Sequence, residues 1–326
     1  MTTTVVSTEK QQVKYDFDQA TESYYIGESD RVTFYAGRVN TTWAIGQVPS
    51  VSYVVALSLN AVLQQFSKKH QQHPASLNTF FFKKTEGGPF IVEITELKPS
   101  KKGFVVVKAA LRQPKIFNEG NNKVPERLEE YDPSQYVTKT LSIITMTNMD
   151  GETGLTLSKG ETGVAPVPPS MASMELTKME FMEEYVDLYQ DKSTYPKYDV
   201  QGNIIRQGKA EIHHGYVFKD GRLTDFKSIP YWADLFVNPL YSLGPEVMGT
   251  NKYWMPTLQL EVQFKMMPKN TKNVIATFKV PHIVNNRFDL DGALYDQDKN
   301  LLAITRHQCL VVPWERNVGT SSSSKL

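Results

Sequence analysis

The feature that constrains this chain most is a layout that occurs twice: one strongly apolar helix followed by a run of strand-like segments. In the first copy, short aromatic and β-branched runs over Tyr15–Val39 read as strands. After Pro49, Ser50 is suited to a helix N-cap. Apolar residues then recur at 51, 54, 55, 59, 62, 63 and 66, the spacing of one helical face. Tyr53, Ala56, Leu57 and Ala61 widen that stripe until it nearly encircles the helix, so this helix is buried on most sides. Four strand-like runs follow: Ala75–Lys83, Phe90–Leu97, Gly103–Arg112 and Tyr136–Asn148. The polar stretch Gln113–Pro133 is a surface excursion between the last two.

The second copy repeats the scheme. Phe181–Tyr189 is amphipathic, Lys209–Lys219 is strand-like, and Asp220-Gly221 suits a hairpin turn. Ser228-Ile229-Pro230 opens a second apolar helix, with the proline in the first turn where no amide partner is lost. Strands follow at Met255–Met267, Asn273–Pro281, Phe288–Tyr295 and Leu301–Pro313. The physical solution for such a pattern is an antiparallel sheet wrapped around one apolar helix, made twice and joined side by side, an α+β fold. The expected organisation is an N-terminal domain over 1–150, a linker over 151–172 rich in Gly and Pro, and a C-terminal domain over 173–326.

Composition removes several function classes. The 36 Lys and Arg against 35 Asp and Glu leave no basic excess for a nucleic-acid groove. The one cysteine, Cys309, excludes an internal disulfide and a cysteine-based zinc cluster. No apolar run reaches the ~18 residues that a membrane span needs, and the N-terminus has no signal-peptide pattern. Neither a Gly-x-Gly-x-x-Gly after a strand nor a Walker A motif is present, and no cofactor is expected. At the other end, Ser324, Lys325 and Leu326 form the tripeptide that a peroxisomal import receptor reads, carried on a Gly/Ser-rich arm. The expected location is therefore the peroxisomal matrix.

The residues resemble one family. Trp43-Ala-Ile-Gly46, Ala75–Phe82 and Val105–Gln113 are similar to the first half of the double-hotdog acyl-CoA thioesterases, the group of bacterial acyl-CoA thioesterase II and its peroxisomal relatives. Where that family has paired glycines entering the helix, this chain has Pro49-Ser50. In the second half, Tyr231-Trp-Ala-Asp234-Leu resembles the helix that carries the family's catalytic Asp. Pro256-Thr257-Leu resembles the strand start that supplies its catalytic Thr, and Asp291–Arg306 its final strand pair. The resemblance implies a double-hotdog fold, hydrolysis of fatty acyl-CoA to free acid and CoA by an activated water, and possible further assembly into a homo-oligomer. It also implies that Asp234 takes the water's proton while Thr257 and a Gln hold that water. Here the Gln position is occupied by His307, and Gln308 comes one residue late. Adjacent strand residues face opposite sides, so only one of the two enters the site. A histidine could hold the water and also take its proton. Oxyanion donors are expected among backbone amides at a helix N-terminus.

Competing readings use the same residues. An enoyl-CoA hydratase of this fold carries Gly-Asp-x-Asn-Pro-x-His, but Asn238-Pro239 is followed by Leu240 and Tyr241. A protein that binds acyl-CoA without turning it over would keep the fold and lose the chemistry. His213 and His214, being neighbours on a strand, are poor joint metal ligands. Cys309, in an apolar run, reads as an inert core thiol. The Met-rich stretch Met171–Met182 reads as adaptable packing.

Overall fold

A computed structural model describes residues 14–117, 123–156 and 167–318; Ser324, Lys325 and Leu326 lie outside the described residues. The first half contains a short helix α1 (Asp16–Ala20), strands β1 (Ser23–Ser29) and β2 (Val32–Val39), and the helix α2 (Val51–Phe66). It continues with β3 (His73–Phe81), β4 (Gly88–Lys98), β5 (Val105–Pro114) and β6 (Tyr136–Thr147). The second half has β7 (Glu175–Thr177), β8 (Val186–Gln190), β9 (Glu211–Phe218) and the helix α3 (Ile229–Asp234). Then come β10 (Thr257–Phe264), β11 (Val274–Lys279), β12 (Ile283–Val284), β13 (Arg287–Tyr295) and β14 (Leu301–Leu310).

All these strands join one 14-stranded antiparallel sheet in the order β1-β2-β4-β5-β6-β3-β10-β14-β13-β11-β9-β8-β7, with β12 paired to β13. The order reads the same way outward from the centre: β3-β6-β5-β4-β2-β1 on one side and β10-β14-β13-β11-β9-β8 on the other. Each half is thus the same sheet, and each inserts its helix between its second and third strands of this set. The halves meet where β3 pairs β10, with Leu260 opposite Thr79 and Val262 opposite Leu77. The continuous antiparallel sheet and central helices match the expected double hotdog.

The core explains the arrangement. In α2, Tyr53, Val55, Ala56, Leu57, Leu59 and Val62 are fully buried, as an apolar stripe running nearly round the helix requires. Every residue of α3 is buried as well, and α2 and α3 pack against each other across the junction. Aromatic rings reinforce that junction: Phe17 of α1 lies 5.3 Å from Trp43 and 4.9 Å from Tyr231 by ring centroid, and Trp43 stacks on Tyr185 at 4.4 Å. The methionines Met174, Met179 and Met182 are buried packing residues.

Several local expectations are corrected. The helix α3 has six residues rather than a length comparable to the 16 of α2. Pro239 disfavours the helical region for Asn238, and Asn238 instead accepts a hydrogen bond from the amide of Leu240 to start a separate 3₁₀ turn. Ser50 precedes α2 but its hydroxyl caps no amide; it is hydrogen-bonded to the hydroxyl of Ser52 at 2.5 Å. Only the end of the amphipathic stretch Phe181–Tyr189 is regular structure, entering the strand Val186–Gln190 after Met182 turns the chain through a left-handed conformation (φ 66°). The turn at Asp220-Gly221 leads into α3 and makes no hairpin; the Asp220 carboxylate accepts from the amides of Arg222 and, 2.8 Å away, Asp16. The excursion after β5 is not wholly superficial: Tyr131 is buried on the sheet with Phe34, Ile91 and Ile26.

Candidate active site

The second half positions three polar side chains on one buried wall. Asp234 is the last residue of α3, so the abrupt end of that helix places its carboxylate at the junction between the halves. Thr257 opens β10, and a register irregularity follows it between Thr257 and Gln259. His307 lies in β14, opposite Leu260 of β10 and Leu290 of β13, so its side chain points to the core face.

These three converge. The Thr257 hydroxyl donates to Asp234 Oδ1 at 3.3 Å, and His307 Nε2 lies 3.3 Å from the same oxygen. The His307 side chain is fully buried and that of Asp234 is 7% exposed. Neither ring nitrogen of His307 has a well-directed hydrogen-bond partner. Its ring is held edge-on by Phe236 at 5.7 Å and Phe278 at 6.5 Å between centroids. A buried imidazole with unspent donor and acceptor capacity beside a carboxylate is a place where a water or a reacting oxygen gains hydrogen bonds.

Gln308 does not join them. The strand period turns it to the outer face of the sheet, where it lines a shallow cleft with His282, Arg287 and Asp289. Cys309 returns to the inner face, 2% exposed, with Sγ 3.7 Å from Thr257 Oγ1. Burial pushes its thiol pKa up, and the nearby Asp234 charge adds to that, so it remains a thiol rather than a thiolate nucleophile. Behind Asp234, Trp232 stacks on Tyr216 at 5.4 Å, and burial together with the Asp234 charge keeps the Tyr216 phenol protonated. Of the adjacent histidines, His214 is fully buried between Tyr216 and Gln190, and burial drives its pKa down to about 3.

Asp234, Thr257 and Cys309 open onto a cavity of about 270 Å³. Its walls come from both halves. The first contributes Ile45, Val48, Ser50 and Val51 at the entry to α2, and the second contributes Phe236, Trp254 and Trp314. Pro49 pairs with Ala44 in a two-strand ribbon that carries this entry loop. The sequence marked Ser50 and Val51 only as the start of a helix and Ile45 only within a segment of family resemblance; as cavity lining none of these residues stood out, because they are scattered over short segments of both halves. Among the described residues no three His, Cys, Asp or Glu side chains gather as a metal site, and no helix is long and apolar enough to cross a membrane.

The sheet and helix pair define the class first: a double-hotdog protein whose polar wall lies at the junction of its halves. Residues 39–120 match the family profile of the acyl-CoA thioesterase N-terminal domain, and residues 170–311 that of the acyl-CoA thioesterase C-terminal domain. The two matches stand in the expected order and together take in more than half of the chain, which belongs to the acyl-CoA thioesterase family. Among solved structures, a hot dog fold protein of Alicyclobacillus acidocaldarius is similar at 16% identity and TM-score 0.67, over 92% of this chain and 98% of that one. A Thermobifida fusca protein assigned to thioesterase II shares 18% identity at TM-score 0.68, over 91% of this chain and 97% of its own. The acyl-CoA thioesterase II TesB2 of Mycobacterium marinum shares 12% at TM-score 0.62, over 91% and 98%. At these identities the likeness is one of fold. No curated protein matches the sequence.

Proposed function

We propose that the chain hydrolyses fatty acyl-CoA by direct attack of a water held between Asp234, Thr257 and His307. The observation that carries the reading is the convergence of the Thr257 hydroxyl and the His307 imidazole on one oxygen of Asp234, with Asp234 and Thr257 lining the cavity and His307 buried behind them. Water bound there would hydrogen-bond to His307 Nε2, on the side facing Asp234, and lose its proton to the Asp234–His307 pair as its oxygen bonds to the thioester carbon. The carbonyl π electrons pass to oxygen. Ser50 and Val51 bring the start of α2 to the cavity wall. The first amides of a helix lack intrahelical acceptors and sit at its positive end, so they suit the resulting oxyanion. Collapse of the tetrahedral adduct breaks the C–S bond, and the CoA sulfur takes up the proton. With Cys309 held as a thiol, no acyl-enzyme step is needed.

The test is release of CoA thiol from acyl-CoAs by the purified chain, repeated with His307→Gln and His307→Leu. Turnover that survives in Gln but is lost in Leu supports a water held by position 307. Tight binding of acyl-CoA with no thiol release in wild type would overturn hydrolysis and favour a binding protein. Import into peroxisomes through Ser324, Lys325 and Leu326 is proposed alongside, on sequence alone. A fluorescent fusion that stays punctate after loss of these three residues would refute it.

A further inference from the structure

The cavity carries information about the acyl group. Its apolar wall includes Ile45, Val48, Phe236 and Met255. The bulky, multiply charged nucleotide of CoA is a poor match to such a wall, so the acyl chain is its suited occupant. A cavity of about 150 Å³ is filled by benzene, so 270 Å³ corresponds to roughly ten non-hydrogen atoms.

One wall is a strap formed by residues 178–182, which brings Met179, Glu180 and Phe181 to the cavity. The strap is fastened at several points. Met182, 6% exposed, takes a left-handed conformation, and its carbonyl accepts from the amides of Tyr185 and Val186, both at 3.0 Å. A bulky residue at positive φ persists only where its surroundings hold it. Phe181 stacks on Trp314 with centroids 6.4 Å apart. Lys252 donates to Glu180 Oε1 at 2.8 Å and lies over the Trp314 ring at 4.1 Å. A wall held at three successive residues, Glu180, Phe181 and Met182, acts as a fixed stop rather than an adaptable lining.

We propose that this cavity takes a medium-length acyl group, roughly eight to ten carbons, and that Phe181, backed by Trp314, sets the upper length. The proposal rests on the acyl-CoA reading above and deepens it. The experiment measures kcat/KM across saturated acyl-CoAs from four to sixteen carbons for wild type, Phe181→Ala and Phe181→Trp. In parallel, calorimetry measures binding of non-hydrolysable thioether analogues of the same lengths. The expected wild-type profile peaks at eight to ten carbons and falls at least tenfold by sixteen. Phe181→Ala should move the peak to longer chains and Phe181→Trp to shorter ones. A wild-type profile that is flat or rises to sixteen carbons, or a peak unmoved in both variants, overturns the proposal. Failure of hydrolysis alone appears differently: no thiol is released, while thioether binding still peaks at eight to ten carbons and shifts with residue 181.

Discussion

The two halves share a strand order but divide the work. The first half carries a 16-residue helix that buries no charged side chain, its buried hydroxyls being those of Ser52, Tyr53 and Ser58. The second carries a six-residue helix ending on the carboxylate Asp234. The strands repeat the contrast. Thr257 of β10, just before a register shift, stands opposite Cys309 of β14; the residue before the matching shift in the first half is Pro74 of β3, next to His73 and opposite Met146 of β6. Around Thr257 there is a cavity and a carboxylate. Around His73, Nδ1 already accepts from the amide of Met149 at 3.1 Å, and the ring packs on Phe226 at 5.4 Å. Duplication let one helix stay long and apolar as scaffold while the other was cut short to expose a charged end.

The sharpest way to break this comparison is Asp234→Asn, which preserves shape and removes the charge. Thiol release should fall about 10²–10⁴-fold, while the circular dichroism spectrum and melting temperature stay close to wild type. A variant with full activity would remove the site from the second half altogether. The complementary change in the scaffold is Leu57→Ala in α2. Leu57 is fully buried, and its truncation should cost about 2–5 kcal/mol in urea unfolding. Its effect on kcat should follow the folded fraction and no more.

Much of this division was legible before any coordinates. Strands β3, β4, β5, β6, β11, β13 and β14 fall within a few residues of the apolar runs, because an alternating or continuously apolar segment bounded by Gly and Pro has one way to be buried. The face rule at 307 and 308 showed that only one of the pair could enter the core, but not which one; that depended on the register of β14 against β10. The convergence of Asp234, Thr257 and His307 was reachable only through family resemblance, since residues 23 and 50 positions apart leave no local pattern. The short α3 was signalled by Asn238-Pro239, whose proline stands five residues beyond the helix end at Asp234. The strap at 178–182 was not readable, because a single left-handed Met182 decides it and Met favours no such conformation.

The joint between the halves is the next place to press. Arg222, with a side chain 5% exposed, bonds Asp18 of α1 and Asp225, and Lys227 bonds Asp18 as well. Burial alone would raise the Asp18 carboxyl, but hydrogen bonds from Arg222 and Lys227 outweigh it and hold its pKa below the ordinary carboxylate value. Such a group stabilises the fold above its unfolded pKa, and that contribution is lost as pH falls through the folded one. The clasp should therefore be intact at neutral pH and fail in the acid range below about 4. Arg222→Ala should cost about 1–3 kcal/mol at pH 7, the lower end reflecting an Asp18 side chain 40% exposed. Urea melts at pH 7 and pH 3 should show a smaller difference between variant and wild type in acid. An equal difference at both would mean that Arg222 acts through its packing on Phe17 and Phe218 rather than its charge.

The smallest expected effect tests the comparison most closely, because it makes the same His-to-Gln exchange once in each half. His73→Gln removes an imidazole that sits 13% exposed and 4.0 Å from Asp150. The glutamine carbonyl can take over the hydrogen bond from Met149, so stability should change by about 1 kcal/mol or less. Thiol release should stay within twofold of wild type at every acyl length. The same substitution at His307 touches a buried imidazole whose two ring nitrogens have no hydrogen-bond partner and whose neighbour is a buried carboxylate. A His73→Gln variant that lost activity while keeping its melting temperature would mean that the first half contributes chemistry after all.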